Sequence, residues 1–224
     1  MGNLVSEIRA LLSKEFILEW RQRYAINGLL LYVVSTVFVC YLSFNLAGGT
    51  LNVVTWNTIF WIIILFSAIN GISKGFMQER EGRYYFYYTI ASPEAIILSK
   101  IIYNALLMLG IALIGFLFYA FVMGNPVQDM PLFLGNIVLG AIGFSSTLTM
   151  ISGIASKAKN SSTLMAVLGF PVIMPMILML IKVSKNAIDG LQRSASYEEI
   201  ITIGGINLIV LAVSYILFPY LWRS

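Results

Sequence analysis

The chain has 224 residues, 59% of them hydrophobic and only 11% charged, with a formal net charge of +4 and a mean hydropathy of +0.87. A soluble domain carries roughly 25% charged residues, so the composition excludes one and reads as an all-α integral membrane protein. There is no histidine and a single cysteine, Cys40, which removes serine–histidine hydrolysis, most zinc sites, the usual haem ligand and any internal disulfide.

Residues 1–23 are amphipathic. Leu4, Ile8, Leu11, Leu12 and Phe16 recur near helical spacing, while Glu7, Arg9, Lys14 and Glu19 fall on other faces. This predicts an interfacial helix, with Trp20 at headgroup level, that either anchors the chain or packs against a partner subunit. It lacks the short apolar core and small-residue site of a cleavable signal peptide. No charged residue occurs from 24 to 73, nor in 101–128, 130–156, 160–181 or 200–222. A span needs about 20 apolar residues, so the first gap holds two spans and each later gap holds one. Six transmembrane helices follow, at 25–46, 56–72, 97–122, 132–154, 162–181 and 200–221, with a Gly-Gly turn near 48.

The positions of the cations set the orientation. With both termini cytoplasmic, Arg9, Lys14, Arg21, Arg23, Lys74, Arg80, Arg83, Lys100, Lys157, Lys159 and Arg223 lie inside, and only Lys182, Lys185 and Arg193 lie outside. The positive net charge is therefore a topology signal and does not point to nucleic acid. Apart from Lys100, near the start of the third, no Asp, Glu, Lys or Arg falls inside these spans, which disfavours ion-gradient coupling. No GxxxxGK[ST] phosphate loop is present either, since the stretch from Gly71 to Gly75 reads GISKG. Gly71 with Gly75, and Gly140 with Gly143, have the spacing for close helix contact. Asn70, Asn104 and Asn136 are expected to bond to neighbouring spans. In the fifth span, Pro171 and Pro175 are one turn apart and are expected to kink or break the helix as a hinge. Met165, Met174, Met176 and Met179 in that span read either as packing or as soft contacts to a flat apolar ligand. The stretch 183–199 is the largest outer loop, read as a solvated connector or a partner contact.

The segment 74–96 concentrates charge and aromatics. The second span is predicted to continue as a helix through Glu81 and stop at Gly82. Ser92, Pro93 and Glu94 then restart a helix, as N-cap, first-turn proline and dipole-matched acid. Between these ends, residues 83–91 read RYYFYYTIA, long enough for a short helix. Five consecutive aromatics beside Arg and Glu are the composition of a protein contact site, although an idle interfacial loop has similar features.

Glu79-Arg80-Glu81-Gly82, followed by Ser92-Pro93 and an apolar run ending in Ser99-Lys100, resembles the cytoplasmic segment of type-2 ABC exporter permeases. Within that group the chain is most similar to the haem exporter protein B (CcmB) family of cytochrome c maturation. The length, the opening KEFILEWRQRYA at 14–25 and the two-proline stretch LGFPVIMPMIL at 168–178 add to the likeness. The resemblance implies a non-enzymatic membrane subunit in the bacterial inner membrane, paired with a separate ATP-binding, CcmA-like protein. It also implies CcmC-, CcmD- and CcmE-like partners and a possible homodimer. Haem and ATP would be used by the complex rather than bound by this chain. The implied coupling surface is Glu79, Arg80, Glu81, Gly82, Arg83, Tyr84, Tyr85, Tyr87, Tyr88, Ser92 and Pro93. Without histidine, haem carried in the spans would need Met, Tyr or Cys40 as ligand, so the reading favours mechanical coupling with haem handled elsewhere. A drug or lipid exporter permease and a non-transporting scaffold are the alternatives. A protease-cleavable tag appended after Ser224 is expected to resist protease added to the outer face of intact spheroplasts; cleavage there reverses the topology.

Overall fold

The computed structural model describes residues 3–22, 24–46, 51–72, 91–156 and 161–223. Its helices are α1 (Leu4–Gln22), α2 (Tyr24–Leu46), α3 (Val53–Ile72), α4 (Pro93–Met123), α5 (Met130–Ala155), α6 (Ser161–Ile188) and α7 (Tyr197–Arg223), with a 3-10 turn at Arg193–Ser196. No strand occurs among the described residues. Every helix except α1 includes a stretch long and apolar enough to cross a membrane. Successive spans run in alternate directions. The starts of α2, α4 and α6 and the ends of α3, α5 and α7 therefore share one end of the bundle with α1.

The bundle is organised around α5, which packs on α3, α4, α6 and α7. Of its most apolar window, 72% is buried, against 17% in α2. Small residues make this possible, because they let backbones approach closely where lipid supplies no hydrophobic drive. A Cβ on Gly140 would lie 2.8 Å from the Trp61 ring of α3, and one on Gly143 would run into Met176 Sδ of α6 and stand 2.6 Å from Asn207 Oδ1 of α7. Gly71 admits Leu29 of α2 in the same way, at 2.9 Å. The expected close approaches at Gly71, Gly140 and Gly143 are thus present; Gly75 lies outside the described residues.

Away from α1, the core is an aromatic cluster. Trp56 meets Tyr119 at 4.8 Å between ring centroids, Phe60 meets Phe133 at 5.5 Å, and Phe116 meets Phe133 at 4.9 Å. The polar tips are satisfied by backbone: Tyr119 Oη donates to Trp56 O at 2.9 Å, and Trp56 Nε1 donates to Gly124 O at 3.0 Å. Gly124 ends α4 with φ +83, a conformation that L side chains rarely adopt. A second, smaller cluster of Ile96, Ile97, Ile101 and Phe218 joins the start of α4 to the end of α7, with Leu11 of α1 packed against it.

Two helices run beyond the expected spans. Helix α4 begins at Pro93, where Ser92, Pro93 and Glu94 predict a helix start, and α6 runs to Ile188, past the span expected to end at 181. Charged residues therefore do sit within the long helices. Lys100 is a buried residue of α4, and Lys182 pairs with Glu199 across α6 and α7. The loop expected at 183–199 shrinks to 189–196 and is fastened down. Arg193 Nε and Nη2 grip the Asp129 carboxylate at 2.7 and 3.0 Å, and Asp129 also caps α5 by accepting from Leu132 N at 3.2 Å. The backbone N–H groups of Gln128 and Asp129 both donate to Ala187 O. Asn186 Nδ2 donates to Ser196 Oγ at 2.9 Å.

The Arg193 hydrogen bonds hold the Asp129 carboxyl below its ordinary range. A lowered acid stabilises the fold above its unfolded pKa of about 3.9, and that contribution is lost as pH falls through the folded value. Gly190 closes the connection with φ +66, and the Gln128 side chain occupies the space its Cβ would need. Gly190→Ala is expected to cost about 1 to 2 kcal/mol and to lower the thermal midpoint in detergent. Gly205→Ala is expected to leave the midpoint unchanged or raise it, because that helix position has open space.

Candidate functional site

Of the residues expected to meet an ATPase, Glu79, Arg80, Glu81, Gly82, Arg83, Tyr84, Tyr85, Tyr87 and Tyr88 lie outside the described residues. Ser92 and Pro93 are described, and they open α4. Ser92 occupies the N-cap position in an extended conformation (φ −68, ψ 143), followed by Pro93 and by Glu94 in the first turn. The expected side-chain cap is not made. Both the backbone N–H and the Oγ–H of Ser92 donate instead to Glu7 Oε2, at 2.9 and 2.7 Å. A serine hydroxyl has one proton to give, and a carboxylate is the strongest acceptor within reach. The positive end of α4 favours an anion at that place.

Glu7 belongs to a stripe. On α1, Glu7, Leu11, Glu15 and Glu19 recur every four residues and so lie along one face. Glu15 bonds Lys14 at 2.9 Å and reaches Lys100 of α4 at 3.7 Å. Glu19 Oε1 accepts from Ile26 N at 3.0 Å, in the first turn of α2, and Glu19 Oε2 stands 3.5 Å from Tyr103 Oη. The paired positions 7 with 92, 15 with 100 and 19 with 103 advance together, so α1 runs alongside α4, and parallel to it, over the first three turns. The helix thus packs on its own chain. Its carboxylates, expected on other faces from the apolar residues, point into this contact beside half-buried Ile8, Leu11 and Leu12. Phe16, though half exposed, meets the Tyr103 ring of α4 edge-on at 5.5 Å, while Ile17 and Trp20 are exposed.

The electrostatics follow from these partners. Donation from the Ser92 side chain and backbone holds the Glu7 carboxyl below the usual carboxylate range. Burial pushes Glu15 up, but the Lys100 and Lys14 ammonium groups outweigh burial and leave it lowered. Both acids therefore fasten α1 while ionised, above about pH 4.3, and release it as pH falls through their lowered values.

The second candidate element is α6. The helix is continuous from Ser161 to Ile188 through Pro171 and Pro175, so the span is not broken. Each proline lacks an N–H and leaves the carbonyl one turn before it without its helical donor. Beyond the prolines, neighbouring helices grip the helix. Asn57 Nδ2 donates to Ile181 O at 2.8 Å, and Asn136 Nδ2 donates to Leu180 O and to Ser184 Oγ, both at 2.7 Å. Trp61 Nε1 donates to the same Ser184 Oγ at 2.8 Å. Hydrogen bonds between helices in lipid average about 0.6 kcal/mol each, and here several converge on one turn. Leu180, Val183 and Ser184 are fully buried, whereas Val167 and Phe170, before the prolines, are each 63% exposed. The hydrogen bonds from other helices named above thus fall beyond the proline pair, while before it Met165 is buried in the main core and Val167 and Phe170 are exposed.

The methionines of α6 do not form one ligand-like face. Met165 and Met176 are buried in the main core and Met174 is exposed. Asn104 bonds Thr149 of α5 at 2.8 Å, so Asn104 and Asn136 both serve helix contacts, as expected. No group of three or more His, Cys, Asp or Glu that could hold a metal ion occurs among the described residues. Sequence reasoning missed Glu7, Glu15, Asn57, Trp61 and Ser184. For Glu7 and Glu15 the four-residue spacing with Leu11 was a usable signal; for the others the partner is remote in sequence and nothing local marks it.

Among the described residues, this arrangement can carry force. Its anchored start of α4 follows the aromatic segment in the chain, and its α6 takes hydrogen bonds from Asn57, Trp61 and Asn136 beyond the prolines. Neither curated proteins nor solved structures gave a match to the chain. A family model described as CcmB protein matches residues 6–220, nearly the whole length and both candidate elements. The chain therefore belongs to the CcmB family, whose members are multi-pass inner-membrane permease components of the ABC-type haem-export system of cytochrome c maturation.

Proposed function

We propose that this chain receives mechanical work from a separate ATPase through segment 74–96 and uses it to drive haem export or release of a haem-loaded chaperone. Both termini lie in the cytoplasm in this reading. Glu79 to Tyr88 form the docking surface, and Ser92 and Pro93 form its junction with α4. CcmA-, CcmC-, CcmD- and CcmE-like proteins are the partners. The observation that carries the proposal is the junction itself. The aromatic, charged segment leads into a helix whose first turn is held by Glu7 through two hydrogen bonds, so a push on the segment meets a fixed point. The absence of histidine from the chain supports leaving haem ligation to another subunit. Pro171 and Pro175 supply the hinge, flexing the half of α6 before them against the half gripped by Asn57, Asn136 and Trp61.

Two experiments test these roles. Reversing Glu81 and Arg83 together (Glu81→Lys, Arg83→Glu) is expected to abolish stimulation of the co-purified ATPase, or its association, while the chain remains in the membrane. Unchanged association and turnover would remove the docking role from this surface. Replacing Pro171 and Pro175 with alanine restores two backbone hydrogen bonds and is expected to lower holo-cytochrome c yield several-fold with the complex intact. Loss of complex assembly in that variant, measured by co-purification, argues for a packing role and against the hinge.

A further inference from the structure

We infer that α1 is a strap that ties the exit of the coupling segment to the first turn of α2, with Glu7 and Glu19 as its two fastenings. This deepens the proposed coupling role and rests on it. Glu7 Oε2 holds both donors of Ser92, near the end of segment 74–96. Three turns along the same helix face, Glu19 Oε1 holds the N–H of Ile26 in α2. Between them Glu15 and Lys100 keep α1 pressed on α4, and Leu11 packs beside Ile96, Ile97 and Phe218.

An α-helix is stiff along its axis because each turn is hydrogen-bonded to the next. The covalent route from Ser92 back to Ile26 runs through the coupling segment, α3 and all but the first turn of α2. The strap shortens that route to one rigid helix. Both fastenings use the same chemistry: a carboxylate takes N–H groups left open at the start of a spanning helix, where the helix dipole favours an anion. The receiving helix suits the role, because α2 has the smallest buried share of the six spans and is the least restrained by the core. Glu7 and Glu19 are therefore positioning residues, acting through Ser92 and Ile26.

The test uses the full chain in its complex with the ATPase, in cells making a c-type cytochrome. Glu7→Ala and Glu19→Ala are each expected to leave the ATPase bound and turning over within about twofold. Holo-cytochrome c yield should fall roughly tenfold, the scale of one charge-assisted hydrogen bond. Glu7→Gln, whose amide oxygen still accepts from Ser92, should recover most of the yield. The Glu7→Ala/Glu19→Ala double variant should lose less than the product of the two single losses, because both bonds lie on one path from Ser92 through α1 to α2. Ser92→Ala keeps the backbone donor and should give a smaller fall; it carries the test if Glu7→Ala does not accumulate. Wild-type yields in both alanine variants, or losses that multiply in full in the double, overturn the strap. Loss of the ATPase from the complex on Glu7→Ala also overturns it, making α1 a docking element. If instead reversal of Glu81 and Arg83 changes nothing, the coupling reading falls on its own evidence. The strap alone fails when that reversal abolishes turnover while Glu7→Ala and Glu19→Ala leave yield intact.

Discussion

Helices α3, α4, α6 and α7 all reach α5, and they can do so only because α5 is narrow. Gly140 makes room for the indole of Trp61, and Gly143 makes room for Met176 and Asn207. From Ser145 to Ser152 the side chains are largely hydroxyl-bearing and buried. In a bilayer there is no hydrophobic drive between helices, so contact depends on close approach and on satisfied polar groups. The asparagines complete the arrangement: Asn57 and Asn136 reach α6, Asn104 reaches α5, and Asn207 Nδ2 donates to Leu139 O at 3.2 Å. Without the thin centre these side chains would be too far apart to meet backbone on the next helix.

That centre divides the molecule into unequal ends. Away from α1, aromatic packing, the Asp129–Arg193 clasp, the Lys182–Glu199 pair and the grip on α6 all coincide. At the α1 end the main core continues through Ile72, Ile151, Ala155 and Met165, and a second, small apolar cluster there is supplemented by carboxylates. Within α6 the proline pair lies between Phe170, exposed, and Leu180, fully buried.

The spans were legible because charge is costly in hydrocarbon, so a chain that crosses a bilayer repeatedly must carry long stretches free of Asp, Glu, Lys and Arg. The same rule misled where charges pair. Lys182 and Glu199 looked like loop residues, yet each satisfies the other across two helices, so α6 and α7 extend past them. Lys100 looked like a cytoplasmic cation but is buried in α4 beside Glu15. The start of α4 was readable from Ser92, Pro93 and Glu94. The group that actually meets Ser92 is 85 positions away, beyond any local pattern. For α1, placing Glu7 and Glu19 on faces other than the apolar one was reasonable for an isolated amphipathic helix, but two spanning helices begin beside it and their N–H groups meet these carboxylates. Pro171 and Pro175 were readable as weak points; the grip that makes one side of them firm comes from Asn57, Trp61 and Asn136, on other helices.

Helix α4 has 31 residues and so rises about 46 Å, whereas the hydrocarbon core is about 30 Å thick and the whole bilayer with headgroups about 40 to 45 Å. The surplus over the hydrocarbon core is about 16 Å, roughly the length of the three turns that α1 flanks. Set across a bilayer, a helix of that length carries its first residues beyond the hydrocarbon, and the exposed Ile17 and Trp20 of α1 beside it are of the residue types that suit a headgroup layer.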